Sequence, residues 1–313
     1  MTLAFVFPGQ GSQAVGMGRA LADAFGQARE TFEEIDDALG QNLFRLMCDG
    51  PEDELTLTEN AQPSLMAVSL AAIRVLEGHC GLDIADKAAF VAGHSLGEYS
   101  ALAAARTFTV ADTARLLKTR GQAMQAAVPV GEGGMAALLG VDLDAAHSLA
   151  EAAAEGEVCS AANDNAPGQV VLSGHAGAIA RAVEKAGDFG ARRAVPLQVS
   201  APFHCSLMQP AAEKMAEALA AVNAAPPIIP VIANVTAEPV QDPDAIRRLL
   251  VDQVTGMVRW RECVLKLKES GVEKLVEVGS GNVLAGLTRR IDRDLEAVSV
   301  SDPEGIEAFA ATL

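Results

Sequence analysis

The chain has 313 residues, half of them hydrophobic, enough to bury a large core and to form one α/β domain with an insertion or two domains. Its 24 basic against 41 acidic residues leave a net charge of −17, which argues against nucleic-acid and anionic-membrane surfaces and requires any acidic partner to find a local basic patch. Five scattered cysteines without C-x-x-C and five histidines without H-E-x-x-H spacing point to buried thiols in a reducing compartment and to no metal site.

Leu3 to Phe7 is an apolar run and predicts a strand buried on both faces. It is cut off by Pro8-Gly9, without a basic leader or a cleavage site, so it reads as a first strand rather than a signal peptide. No uncharged apolar run approaches the ~20 residues of a membrane span, and a cytoplasmic protein is expected. Gly9, Gly11 and Ala14 match the G-x-G-x-x-G/A spacing of dinucleotide-binding turns, a reading that requires a helix to begin beside Ala14. Gly16 and Gly18 delay that helix. Helices are expected over Thr31–Leu39 and over Asn60–Glu77, the second with Pro63 in its first turn.

The apolar run Ala88–Ala92 then meets Gly93-His94-Ser95-Leu96-Gly97, followed by an alanine-rich helical segment. This is strand, sharp turn and helix with a serine at the apex, the G-x-S-x-G nucleophile elbow. Side chains two residues either side of the serine would collide with neighbouring backbone. The turn sets Ser95 at a helix N-terminus, where free N–H groups favour developing negative charge. Val110–Val128 reads as a further helix carrying Arg115, Lys118 and Arg120, charges that pattern alone assigns to a solvated face.

The rhythm changes near Gly131. Strands over Met135–Val141, Val158–Ala162, Val170–Ser173 and Arg193–Val199 alternate with helices over Leu143–Ala154 and Ala176–Ala186, with Asn163 to Gly168 as the hairpin connection. The order β-α-β-β-α-β is ferredoxin-like. Beyond it come a loop at Ser200–Cys205, a helix over Gln209–Val222, a strand within Pro226–Val235, a helix over Asp244–Val254 and one from Arg259. A strand over Lys274–Val278 and a last helix bearing Arg289, Arg290 and Arg293 complete the pattern. The expected fold is α/β: a large domain (1–128 and 200–313) with a mostly parallel sheet and a nucleophile elbow, an α/β-hydrolase-like core, plus an inserted ferredoxin-like small domain (129–199).

A serine nucleophile needs a base. His79, His94, His147, His175 and His204 are the candidates; His94 adjoins Ser95 but points away from it, and His204 lies in a loop where the chain re-enters the large domain. Phe7-Pro8-Gly9-Gln10-Gly11-Ser12-Gln13, Gly93-His94-Ser95-Leu96-Gly97-Glu98-Tyr99, Arg120-Gly121, Ala201-Pro202-Phe203-His204, Gln253 before Val258-Arg259-Trp260, and Glu277-Val278-Gly279 together resemble the malonyl-CoA:acyl carrier protein transacylase family along essentially the whole chain. Ser280, where that family usually has proline or alanine, is the one departure.

The resemblance implies Ser95 as nucleophile, His204 as general base and acid, and Arg120 as the grip on the free malonyl carboxylate. It implies Gln10 and Leu96 as the two oxyanion-hole N–H donors and Gln253 as the backbone carbonyl that orients the histidine. Asn163 either lines the pantetheine channel or simply forms a turn. The implied reaction is ping-pong transfer from malonyl-CoA to acyl carrier protein, for fatty-acid or polyketide synthesis, with no metal or redox cofactor. The carrier protein would dock on Arg289, Arg290 and Arg293 or on Arg192 and Arg193. A serine hydrolase or thioesterase built on the same elbow is the competing class.

Overall fold

The computed structural model describes residues 2–312. The strands are β1 (Leu3–Phe7), β2 (Ala88–Gly93), β3 (Gly133–Leu139), β4 (Cys159–Ala166), β5 (Gln169–His175), β6 (Arg193–Pro196), β7 (Val231–Ile232), β8 (Pro239–Val240), β9 (Lys274–Val278) and β10 (Glu296–Val300). One sheet runs β10-β9-β1-β2-β7-β8, parallel throughout except for the β7–β8 edge pair. All five residues of β1 and of β9 are buried: β1 is the unbroken apolar run that a helix-covered parallel sheet asks for, while β9 also buries Lys274, paired with Glu296, and Glu277, which accepts from the Leu284 and Ala285 N–H groups. Leu3, Phe5 and Phe7 pack into one core and Ala4 and Val6 into another, on opposite faces. The first core includes the Thr58–Gly78 helix and the second includes Trp260 and its helix.

The second sheet has the order β4-β5-β3-β6, all antiparallel, with the Leu143–Ala154 and Ala176–Lys185 helices packed into a core of their own. This is the ferredoxin-like arrangement. It is stitched to the rest of the molecule at β4, where Val258 N donates to Ala162 O and Asp164 N donates to Val258 O, both at 2.9 Å. Arg261 adds an ion pair to buried Asp164 at 2.7 Å. Among the described residues no helix is long and apolar enough to cross a membrane.

Several boundaries differ from the sequence-based reading, each for a local reason. The expected loop over Asn163–Gly168 is strand as far as Ala166, because the backbone at 163–164 pairs both with β5 and with Val258; only Pro167 and Gly168 form the turn. The strand expected to reach Val199 ends at Pro196, which leaves 197–199 free to line a cavity. The Pro226–Val235 strand shrinks to two residues, since Pro226, Pro227 and Pro230 have no N–H to give a ladder. The helix containing Pro63 begins at Thr58, so that proline lies beyond the first turn. No helix begins beside Ala14: the first starts at Arg19, which removes the dinucleotide-binding reading. The helix bearing Arg289 and Arg290 (Val283–Ile291) is not the last, and Arg293 lies past its end.

Candidate active site

β2 is the strand that delivers Ser95. Ser95 takes a left-handed φ of 53° between it and the Gly97–Ala104 helix. A Cβ on Gly93 would sit 1.9 Å from the Gly97 carbonyl carbon, and one on Gly97 would sit 2.2 Å from Phe7 O. The two glycines are therefore imposed by backbone crowding at the elbow. The Ser95 N–H is not free: it donates to Asn234 Oδ1 at 2.7 Å, while Asn234 Nδ2 donates to Gly93 O at 2.7 Å. The next N–H, that of Leu96, stands at the N-cap of the helix, and among the described residues neither it nor the Gln10 N–H has an acceptor.

The structure brings His204 to Ser95 from 109 residues away, with Nε2 2.7 Å from Ser95 Oγ. Its Nδ1 lies 2.9 Å from Gln253 O. A carbonyl only accepts, so Nδ1 carries the proton and Nε2 is bare towards the serine. The Gln253 carbonyl is available because it belongs to the last turn of the Pro243–Thr255 helix, where no later helical N–H exists to take it. His204 itself has φ 58°. Burial, with the Arg120 cation beside it, holds its imidazole down at about 3.

Arg120 is buried, not solvated: its side chain turns inward from the Val110–Ala127 helix and is 1% exposed. Nη1 donates to Gln62 Oε1 at 2.8 Å, and Nη2 donates to Gln253 Oε1 at 2.8 Å and to Ser95 Oγ at 3.1 Å. Its Nε–H has no partner among the described residues. The guanidinium also lies 5.6 Å from the centre of the Tyr99 ring. Gln62 continues the chain of bonds, donating to Thr58 Oγ1 at 2.8 Å, which donates to Gln10 Oε1 at 2.9 Å. The loop holding Gln10 is braced from the other side by Ser280 Oγ on Ser12 O at 2.7 Å.

Ser95, His204, Arg120, Gln10, Leu96 and Asn163 line one cavity of about 310 Å³; Gln253 lies behind it. Asn163 reaches it from β4 rather than from a turn. Of the other histidines, His94 Nε2 meets Asn165 Oδ1 at 2.8 Å, His175 Nδ1 accepts from Val158 N at 2.9 Å, His79 packs on Phe25, and His147 is exposed on the Leu143–Ala154 helix.

Three residues at this site escaped the sequence reading: Asn234, Gln62 and Glu98. Only Asn234 offered a signal, since it follows β7, the strand next to β2, at the end where sites gather in parallel sheets.

A cavity holding a strained serine, a neutral imidazole and a buried guanidinium is acyl-transfer equipment, and comparison with known proteins agrees. The model of the acyl transferase domain family matches residues 4–300. The chain belongs to the acyl transferase family. This acyltransferase is 44% identical over 312 residues to the malonyl CoA-acyl carrier protein transacylase of Bacillus subtilis, covering 99% of this chain and 97% of that protein. It superposes on the acyl-carrier-protein S-malonyltransferase structure from Bartonella henselae with a TM-score of 0.97 at 56% identity, over 100% of this chain and 99% of that one. A malonyl-transacylase solved with a type II polyketide acyl carrier protein aligns at 42% identity and a TM-score of 0.96, over 100% of both chains.

The two candidate basic clusters prove to be neighbours. Gly140 N donates to Gly168 O and Arg192 N donates to Leu139 O, each at 2.8 Å, which puts Arg192 beside the 167–168 turn. Across that turn, Arg290 Nη1 donates to Gln169 Oε1 at 2.8 Å. Arg192, Arg193, Arg289, Arg290 and Arg293 are all exposed.

Proposed function

We infer that this acyltransferase moves a malonyl group from malonyl-CoA to the phosphopantetheine thiol of acyl carrier protein through a malonyl-Ser95 intermediate. The observation that carries the reading is Arg120: a buried guanidinium with a spare Nε–H, 3.1 Å from the serine oxygen. A malonyl group differs from an acetyl group by one carboxylate, and a guanidinium fork is the side chain best matched to it.

In the first half-reaction Ser95 Oγ attacks the thioester carbon as His204 Nε2 takes its proton. The oxyanion is held by the N–H groups of Gln10 and Leu96; one such donor is worth on the order of 3 kcal/mol. The intermediate collapses, the C–S bond breaks, and the imidazolium returns a proton to the departing CoA sulfur. In the second half-reaction the carrier thiol gives its proton to His204, attacks the malonyl-serine carbonyl, and Ser95 leaves with the proton restored. The Gln253 carbonyl keeps the ring in one tautomer without adding a full negative charge. These steps call on no metal or redox cofactor.

The acidic carrier protein docks, in this reading, on the basic face around the 167–168 turn, formed by Arg192, Arg193, Arg289, Arg290 and Arg293. A cytoplasmic location belongs to the same reading and is supported by five free cysteines.

The test is stoichiometry. Mixing enzyme with malonyl-CoA alone should release one equivalent of CoA in a burst and then stop until a carrier thiol is added. Continuous release of free malonate would assign the site to a hydrolase instead.

A further inference from the structure

Glu98 is 2% exposed, on the helix just past the nucleophile, and the transfer chemistry above does not use it. Its Oε2 accepts from Gln253 Nε2 at 2.7 Å and from the Asn234 backbone N at 3.0 Å. We propose that Glu98 is a positioning residue: its carboxylate decides which way the Gln253 side-chain amide faces, and through Gln253 and Asn234 it holds Ser95 and Arg120 in reacting geometry. The proposal rests on the malonyl-transfer reading above and deepens it.

An accepting Glu98 oxygen on one side and a donor-only guanidinium on the other fix the Gln253 amide with nitrogen towards Glu98 and oxygen towards Arg120. In that orientation Gln253 Oε1 accepts from Arg120 Nη2 at 2.8 Å, and Gln253 Nε2 also donates to Ser95 O at 3.0 Å. A flipped amide would set NH2 against the guanidinium and oxygen against the carboxylate, and Ser95 O would lose its donor. The second bond anchors Asn234, whose side chain grips the elbow at Ser95 N and at Gly93 O. The backbone of Gln253 meanwhile holds His204. One buried carboxylate thus ties together the supports of nucleophile, base and carboxylate anchor. Misplacing reacting groups by about 1 Å costs on the order of 10²-fold in rate.

The experiment measures Ser95 acylation in single turnover with malonyl-CoA and with acetyl-CoA, and Ser95 labelling by a fluorophosphonate, across pH, in folded protein. Glu98→Ala should lose about 10²-fold in the acylation rate constant for both acyl groups and slow the fluorophosphonate in parallel. Glu98→Gln, whose amide oxygen can still accept both bonds, should recover to within about tenfold of wild type. Gln253→Ala keeps the backbone carbonyl on His204 yet should reproduce the Glu98→Ala loss, and the double variant should fall little further. Should Glu98→Ala fail to fold, Gln253→Ala and Glu98→Gln carry the test. Wild-type rates in Gln253→Ala, no recovery in Glu98→Gln, or fully additive losses in the double variant would overturn the proposal. Wild-type enzyme that takes the fluorophosphonate but no malonyl group would instead refute the malonyl reading, leaving the Glu98 comparison standing on the label.

Discussion

Replacing Arg120 by alanine separates carboxylate recognition from the rest of the chemistry. In the resting site Arg120 is 1% exposed, its Nη groups are bonded, and its Nε–H is left over. A malonyl carboxylate that takes Nε–H together with the Nη2 proton now on Ser95 Oγ would form a side-on fork and release the serine oxygen to His204. Leaving a buried charge without its partner costs about 3–5 kcal/mol. At about 1.4 kcal/mol per tenfold, kcat/KM for malonyl-CoA should fall by roughly 10² to 4 × 10³-fold. Acetyl-CoA has no carboxylate, so its rate should change by less than about tenfold. The variant also leaves Gln62 Oε1 and Gln253 Oε1 without their arginine donor, at about 1–3 kcal/mol each, so melting must be followed in parallel. The assay is rapid-quench acylation of folded enzyme by the two thioesters. Equal losses for both would refute carboxylate recognition by Arg120.

Four further outcomes follow from the geometry. The His204 imidazole lies near 3 rather than its ordinary 6.5, so the acid limb of kcat/KM should fall below the usual histidine range, and Arg120→Ala, removing the neighbouring cation, should move it up; a limb at 6.5 in both proteins would contradict this. The same depression makes the folded state lose stability as pH falls from 6.5 towards 3, because the unfolded chain binds the proton first. Gly97→Ala puts a Cβ 2.2 Å from Phe7 O and should cost about 1–3 kcal/mol with a collapse in acylation, whereas an unchanged melt would show that the elbow has slack. Reversing Arg192 and Arg290 to glutamate should raise KM for carrier protein and leave CoA release on loading untouched; unchanged carrier kinetics would place docking elsewhere.

What the sequence disclosed followed from how local the constraint was. The elbow was readable because its five-residue pattern is local, although only Gly93 answers to crowding within it and Gly97 answers to Phe7 on the neighbouring strand; β1 was readable because an unbroken apolar run has few other uses. The order of strands and helices was enough for the ferredoxin-like sheet. Arg120 was not readable from helix pattern alone, since its burial depends on Gln62, Gln253 and Tyr99 arriving from three other segments; only resemblance pointed to it. Asn163 looked like turn chemistry because Asn-Asp-Asn suits a turn, and the backbone of Val258, remote in sequence, made it strand. Glu98 carried no signal of its own role, because it acts through Gln253, more than a hundred residues away, whereas Asn234 was marked only by its place after the strand beside β2.

The central claim is that the Ser95 oxygen carries the malonyl group between two thiols. Intact-protein mass spectrometry after exposure to malonyl-CoA tests it most directly. Wild-type enzyme should gain the mass of one malonyl group, lose it when holo acyl carrier protein is added, and gain nothing as Ser95→Ala. An adduct that persists in Ser95→Ala, or a wild-type protein that turns over malonyl-CoA without ever gaining mass, would contradict the account.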